Sequence, residues 1–97
     1  MFSAKLHTKD GETLLACCDI TLLGKKLEDE DLSLHISETF FGGEIVDEKK
    51  LIDLMTQSTM ANIFGDNVVD VLASAGYISE SSVANVCGVK HAQLYVI

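Results

Sequence analysis

The amino-acid sequence predicts an α+β fold: a small mixed or mostly antiparallel sheet with two main helices packed on one face. Three observations predict it. Apolar and polar residues alternate near both ends of the chain, as in strands with one buried face. An Asp-Gly turn follows the first alternating segment. The central region has helical apolar spacing and helix-capping residues instead. The 97 residues are expected to form a single domain, 1–97, because a chain of this length supports only one core.

Five segments are predicted as strands, over residues 2–7, 13–18, 32–37, 59–64 and 90–97. The first two are joined by the turn at residues 9–12, in which Asp10-Gly11 is a strong hairpin signal. In the last strand, alternation places one set of side chains together on the polar face: His91, Gln93 and Tyr95. The other face of that strand carries Ala92, Leu94 and Val96.

Two helices are predicted between the strands. The first begins after Asp47, a suitable N-cap, and apolar residues recur behind it at i, i+3 and i+4. The second is predicted over residues 66–75, with Asp66 as N-cap and Gly76 in the left-handed conformation that ends many helices. Short helical turns are predicted over residues 20–23 and 79–82.

The charge of the chain argues against direct nucleic-acid binding. The formal net charge is −8, and the seven basic residues are all lysines. Phosphate and base-edge recognition rely on the arginine guanidinium, and non-specific affinity requires clustered cations. A protein partner is therefore favoured over a nucleic acid, and the oligomeric state is left open.

The sequence also predicts a cytoplasmic location. The first twenty residues contain five charged side chains, unlike a signal peptide. Apolar runs of about five residues are far shorter than a membrane span. Three cysteines form an odd number without a disulfide-framework spacing, which suits a reducing compartment.

Several motifs together resemble an archaeal family known as domain of unknown function 424. They are Cys18-Asp19, Leu22-Leu23-Gly24-Lys25, Phe40-Phe41-Gly42-Gly43 and Gly88-Val89-Lys90-His91-Ala92-Gln93. The resemblance covers essentially the whole chain and implies archaeal origin and a cytoplasmic location. It implies no activity, substrate or catalytic residue. Family members often carry a glycine at the position of Cys87 and a proline at that of Lys90.

The segment Phe40-Phe41-Gly42-Gly43 is the first candidate contact for a partner. Paired glycines allow a sharp bend or the close approach of another chain, and aromatic rings provide apolar area. If the segment continues a strand, Phe40 and Phe41 point to opposite faces, so one is core and the other contacts the partner. The simpler interpretation is a bend with one ring in the core.

Cysteine and histidine spacing leaves two weaker interpretations open. Cys87 and His91 have a zinc-compatible spacing, but Cys17 and Cys18 point to opposite faces of a strand, so no metal site is predicted. Cys87 and His91 could instead form a nucleophilic pair, although the acidic surroundings oppose a low thiol pKa. His7 and His35, together with His91, all fall on polar strand faces and would form a row only if their strands were neighbours.

The function favoured by the sequence is a non-catalytic protein-interaction module without a cofactor. Its predicted partner-binding residues are Phe40, Phe41, Gly42, Gly43, His91, Gln93 and Tyr95. Two alternatives stay open: a factor in RNA metabolism or translation that acts within a larger assembly, and a small metal- or thiol-dependent enzyme.

Overall fold

The structure is a computed structural model that describes residues 1–95. That part of the chain contains eight strands: β1 (Phe2–Lys9), β2 (Glu12–Asp19), β3 (Lys26–Glu28), β4 (Ser33–His35), β5 (Glu44–Val46), β6 (Met60–Phe64), β7 (Ala84–Val86) and β8 (Val89–Tyr95). It also contains three α-helices, α1 (Glu38–Phe41), α2 (Glu48–Thr56) and α3 (Asp66–Ser74), and 3-10 turns at Ile20–Leu22 and Glu80–Ser82. No helix among these residues is long and apolar enough to cross a bilayer.

Six of the strands form a mixed sheet in the order β5-β1-β2-β6-β8-β7. The neighbours β2 and β6 are parallel, whereas the other pairs are antiparallel. Parallel neighbours require a long connection, and the connection from β2 to β6 contains a separate hairpin of β3 and β4. The predicted α+β class is confirmed.

Helices α2 and α3 pack on the same side of the sheet, which we call the helical face. Alternation along the strands and helical spacing in α2 and α3 bring their apolar residues into one core. The core side chains from these elements are Phe2, Ala4, Leu15, Cys17, Val46, Leu51, Leu54, Met55, Ala61, Ile63, Val68, Val69, Leu72 and Ala92. The prediction of two main helices on one face is therefore confirmed.

The opposite side of the sheet, the second face, is covered at one end only. Helix α1 and the β3–β4 hairpin bring Ile36 and Phe41 onto Ala16, Cys18 and Phe64, and all five are buried. This cover belongs to the long β2–β6 connection. Within residues 1–95, its small elements bury only one end of the second face, and Leu14, Met60 and Tyr95 at the other end are not buried.

The capping of α3 corrects a prediction. Asp66 does not cap this helix with its side chain. Instead, buried Asp19 at the end of β2 accepts hydrogen bonds from the backbone N–H groups of Asn67 and Val68, at 3.1 and 2.8 Å. Gly65, at φ +130°, leaves room for this carboxylate, because a Cβ there would lie 2.5 Å from the Asp19 Cγ. The cap therefore ties β2 to the start of α3.

Two further expectations are corrected. The predicted strand over residues 32–37 is shorter, at Ser33–His35, and pairs with β3 outside the main sheet. The condition that Phe40-Phe41 continues a strand is not met: the segment is helical, and the Ser37 hydroxyl oxygen accepts hydrogen bonds from the N–H groups of Thr39 and Phe40 in α1. Strands β3, β5 and β7 were not predicted, since three residues are too few to show alternation.

Other local predictions hold. The hairpin turn has Asp10 and Gly11 at φ 52° and 81°, as a two-residue turn of this type requires. Asp47 caps α2 by accepting a hydrogen bond from the backbone N–H of Lys50 at 2.8 Å. Gly76 has φ +89° after α3. The end of the last predicted strand, residues 96 and 97, lies outside the described residues.

Candidate functional site

The uncovered end of the second face presents a row of side chains that we call the open strip. Strand register places Leu14, Met60 and Tyr95 directly beside one another on β2, β6 and β8. The adjacent row contributes Asn62 and Gln93. Alternation fixes their side, because the residues between them on each strand enter the core of the helical face.

The open strip is accessible in the described structure. The Tyr95 side chain is 80% exposed, Gln93 is exposed, and Leu14 and Met60 are half-buried. A shallow groove of about 190 Å³ runs between these side chains. Leu14 and Met60 also line a second depression, which extends to His7 and the β1–β2 turn. Apolar groups and two amides therefore meet solvent where the sheet has no covering layer.

Asn62 links the open strip to the covered end of the second face. Its Oδ1 lies 3.0 Å from the Nε2 of His91, and the His91 ring stacks on Phe64 with centroids 4.1 Å apart. Burial lowers the pKa of His91, so the folded state favours the neutral ring. The neutral imidazole and the amide hold each other in place beside Gln93 and Tyr95.

The Phe40–Gly43 segment lies on the same face of the sheet as the open strip, but against β1 near the opposite edge. Phe41 is buried, whereas Phe40 is half-buried and stacks on His7 with centroids 4.7 Å apart. A Cβ on Gly42 would lie 2.5 Å from the carbonyl oxygen of Glu38, and one on Gly43 would lie 2.7 Å from that of Ala4. Both glycines therefore allow close approach within the chain itself. That Phe40 contacts a partner stays a prediction.

The sequence-predicted site residues do not form one surface. Phe40 to Gly43 lie against β1, whereas His91, Gln93 and Tyr95 lie on β8. Strands β2 and β6 separate them, a distance of roughly 14 Å at the usual spacing between strands. Aromatic contacts connect the two groups through the covered end, in the order His7, Phe40, Phe41, Phe64 and His91.

The three histidines are not neighbours. His7 lies on β1, three strands away from His91 on β8, and its ring bonds through Nε2 to the backbone oxygen of Phe40 at 2.7 Å. His35 is exposed on β4, in the separate hairpin. Among residues 1–95, no three His, Cys, Asp or Glu side chains come together in a way that could hold a metal ion.

The cysteines occupy three different environments. Cys17 is buried in the helical-face core and Cys18 is buried on the second face, as alternation predicts. Burial raises the pKa of Cys17 and raises that of Cys18 to about 12, so both thiols stay protonated at neutral pH. Cys87 lies in the β7–β8 turn at φ 53°, a conformation in which glycine is common. Its pKa is also raised, by desolvation and then by nearby Asp29.

A family model described as "Protein of unknown function (DUF424)" matches residues 7–97. The chain belongs to this family. The match confirms the resemblance drawn from the sequence motifs. It includes the open strip as well as the Phe40–Gly43 segment, and the family description names no activity. No curated protein matches the chain.

A solved structure shares the fold of this family member. It is described as "Crystal structure of an uncharacterized conserved protein from Methanopyrus kandleri". The two chains are 28% identical, the TM-score is 0.83, and the match covers 99% of this chain and 91% of the other. The likeness therefore extends across the sheet, both helices and the cover of the second face.

The sequence predicts two of the five residues of the open strip. Gln93 and Tyr95 were found because β8 alternates cleanly, whereas Leu14, Met60 and Asn62 were missed. Leu14 lies within an apolar run, and a run of that kind does not show which of its residues meets solvent. Only the strand order places them beside Tyr95, and only the folded chain shows that they are not fully buried.

Proposed function

We propose that this chain is a non-catalytic protein-interaction module that binds a protein partner through the open strip. The observation that carries the proposal is the row of Leu14, Met60 and Tyr95, which no other element of residues 1–95 buries. These side chains lie outside both hydrophobic clusters of the described chain. They contribute apolar area that a partner can bury.

The composition of the open strip resembles the centre of a protein interface. Such centres are enriched in aromatic residues and methionine and depleted of charged residues. The chain carries fifteen acidic residues, yet none is among the five residues of the strip. Tyr95 has the properties of an anchor, because a tyrosine provides a large contact area with only two side-chain torsions to order.

The charge of the chain indicates what the partner carries around its contact surface. The net charge is −8. Asp10, Glu12 and Lys9 line the second depression beside Leu14 and Met60, so its charged side chains are acidic in excess. Complementary charge accelerates association and excludes partners of like charge. The partner we propose is therefore a protein with an apolar contact centre and basic residues around it.

The test is affinity purification from the native cell with matched variants. Tyr95→Ala and Met60→Ala remove apolar contact area from the open strip. Ile45→Ala is the control, because Ile45 is 62% exposed on the opposite edge strand β5. We expect one protein to bind the wild type and Ile45→Ala equally and to bind each strip variant at least tenfold more weakly. Its association rate should fall as salt is added.

Two results would contradict the proposal. Equal recovery of every protein by the wild type and by both strip variants would exclude the strip as the docking surface. Loss of the partner on Phe40→Ala but not on Tyr95→Ala would transfer the interaction to the Phe40–Gly43 segment. Each variant is compared by circular dichroism first, so that loss of binding is not confused with loss of fold.

The metal- and thiol-dependent alternative has weaker support. Cys17 and Cys18 point into separate cores, and a raised thiol pKa disfavours the thiolate that nucleophilic catalysis and metal binding both require. We predict that purified protein contains no stoichiometric zinc and that a chelator leaves its melting temperature unchanged. One zinc per chain, lost together with the fold, would show this prediction to be wrong.

A further inference from the structure

Two strands of the main sheet extend beyond their outer neighbours. Strand β5 pairs with β1 only at Phe2–Ala4, although β1 continues to Lys9. Strand β7 pairs with β8 only at Val89–His91, although β8 continues to Tyr95. Within residues 1–95, β1 and β8 therefore each have a stretch of outer edge without a strand partner.

The backbone of β8 presents hydrogen-bonding groups along its unpaired stretch. The two-residue turn Cys87-Gly88 makes Val89 and the odd-numbered residues after it face β7, because hydrogen-bonded pairs alternate along an antiparallel ladder. Even-numbered residues face β6, which agrees with the 2.9 Å bond from the Gly65 N–H to the Lys90 oxygen. Gln93 and Tyr95 therefore direct their N–H and C=O groups outward, beyond the end of β7.

The same argument applies to β1, but its edge is protected. The Asp10-Gly11 turn makes Leu6 and Thr8 face outward. Lys5, His7 and Lys9 alternate with them. Lysines on an edge strand discourage pairing with another chain. Residues 92–95 of β8 pair with β6 on one edge and have no strand partner on the other within residues 1–95. They include no charged residue, so this outer edge lacks that protection.

We infer that the free edge of β8 at Gln93 and Tyr95 binds an extended segment of the partner, which adds to the sheet as a further strand. The inference deepens the proposed function and rests on it, because the same two residues contribute side chains to the open strip. In strand addition, backbone hydrogen bonds provide affinity and the side chains of the sheet provide specificity. A partner strand here would place alternate side chains beside Tyr95 and Gln93.

Charge favours a foreign segment over a second copy of this chain. Two copies of this chain would each carry a net charge of −8 and would repel one another. The short free edge offers little contact area to offset that repulsion. Glu80 is exposed in the 3-10 turn that precedes β7. It lies near Lys90, but Lys90 is already paired with Asp70 at 2.8 Å, so acidic groups are in excess beside β8. The occupant is therefore an extended peptide segment with uncharged alternating residues and basic flanks.

The test uses a defined peptide probe and isotope-labelled protein. The probe is an alternating Val-Thr heptapeptide flanked by lysines. One control peptide has the same side chains but carries backbone N-methyl groups. The other control peptide has glutamates in place of the flanking lysines. We expect the lysine-flanked peptide to bind with a Kd below 1 mM and to slow the amide hydrogen exchange of Gln93 and Tyr95 at least tenfold. N-methylation should abolish binding, and glutamate flanks should weaken it.

Matched proline variants separate the two edges. Gln93→Pro removes an outward N–H on β8, and Thr8→Pro removes one on β1; proline is tolerated at such edge positions. The affinity for the probe should fall at least tenfold in Gln93→Pro and should be unchanged in Thr8→Pro. The N-methylated peptide removes the complementary bonds, those that the peptide N–H groups donate to the carbonyl oxygens of Gln93 and Tyr95. It does so in unaltered protein, so this result does not depend on how well either variant folds.

Several outcomes would overturn the inference. They are absence of probe binding at 1 mM, protection of Leu6 and Thr8 in place of Gln93 and Tyr95, and protection of Gln93 that grows with protein concentration without peptide. The last would identify a second copy as the occupant. Tyr95→Ala distinguishes the two proposals, because it removes the strip anchor but keeps the outward N–H. If the native partner depends on Tyr95 but ignores Gln93→Pro, the docking surface stands and strand addition fails.

Discussion

The two faces of the sheet are built in different ways. The helical face is covered by two nine-residue helices, α2 and α3, with one continuous core beneath them. The second face is covered by the four-residue helix α1 and a hairpin of three-residue strands. Its cluster contains five buried residues, and the open strip continues beyond it.

This difference separates stability from binding within one small sheet. A long helix buries a stripe of apolar side chains, and that burial supplies most of the favourable free energy of folding. Shorter elements bury less area and leave room at one end. A face that is only half covered can hold its own aromatic cluster and still offer apolar groups to another protein.

The largest expected effect tests whether the cover of the second face is a true core. Phe41→Ala should reduce the free energy of unfolding by about 3–5 kcal/mol, the usual cost of truncating a buried phenylalanine. Phe41 is buried between Phe40 and Phe64, with ring centroids 4.9 and 6.0 Å away. Urea unfolding of the wild type and the variant measures the difference.

Phe40→Ala is the matched control for that experiment. Phe40 is half-buried and stacks on His7, so its truncation should cost less than half as much as that of Phe41. Equal losses would show that both rings are core and would remove Phe40 as a partner contact. A loss below 1 kcal/mol for Phe41→Ala would show instead that the cover contributes little to folding.

The next effect concerns the carboxylate that joins β2 to α3. Asp19→Ala should cost about 2–3 kcal/mol, because it removes two charge-assisted hydrogen bonds to a helix N-terminus and leaves their N–H groups without partners. Asp47→Ala removes one bond at the exposed start of α2 and should cost about 1 kcal/mol. Melting curves compare the two variants. Equal costs would show that the cap on α3 is replaced by water.

These caps show which parts of the fold the sequence predicts. The cap by Asp47 is local, three residues from its N–H donor, so the sequence predicts it. The cap by Asp19 comes from a residue 49 positions away from Val68, and only the folded sheet brings them together. Asp66 looked like the cap because it has the right chemistry at the right position, yet its Oδ1 accepts a hydrogen bond from the Lys90 N–H instead.

The candidate site follows the same rule. Alternation in β8 predicts that Gln93 and Tyr95 share a face, because that pattern belongs to one strand. The position of Leu14 and Met60 beside Tyr95 depends on β6 lying between β2 and β8. A parallel pair joined by a long connection has no local sequence signal. The open strip therefore becomes visible only with the strand order.

A smaller effect concerns pH and the residue that joins the covered end to the strip. Burial lowers the pKa of His91 in the folded state, so below about pH 6.5 the unfolded chain binds more protons at this residue than the folded chain. The stability it contributes is present above about pH 6.5 and falls as the pH falls toward the folded pKa. His91→Gln should therefore lose less stability than the wild type between pH 7.5 and 5. Parallel slopes in urea titrations would contradict this.

The smallest expected effect on stability is the one on which the comparison between the faces depends. Tyr95→Ala should change the free energy of unfolding by less than about 0.5 kcal/mol, as expected for a side chain that is 80% exposed. Phe64→Ala, which removes a ring from the covered end of the neighbouring strand β6, should cost about 3–5 kcal/mol. Both changes delete one ring from the second face. The difference between their costs in unfolding free energy therefore compares the covered end of that face with the open strip. If Tyr95→Ala costs more than 1.5 kcal/mol, the ring belongs to the core and is not free to bind a partner. If Tyr95→Ala leaves the free energy of unfolding unchanged but weakens partner binding tenfold, residues that stabilise the fold and residues that bind the partner lie at opposite ends of the same sheet face.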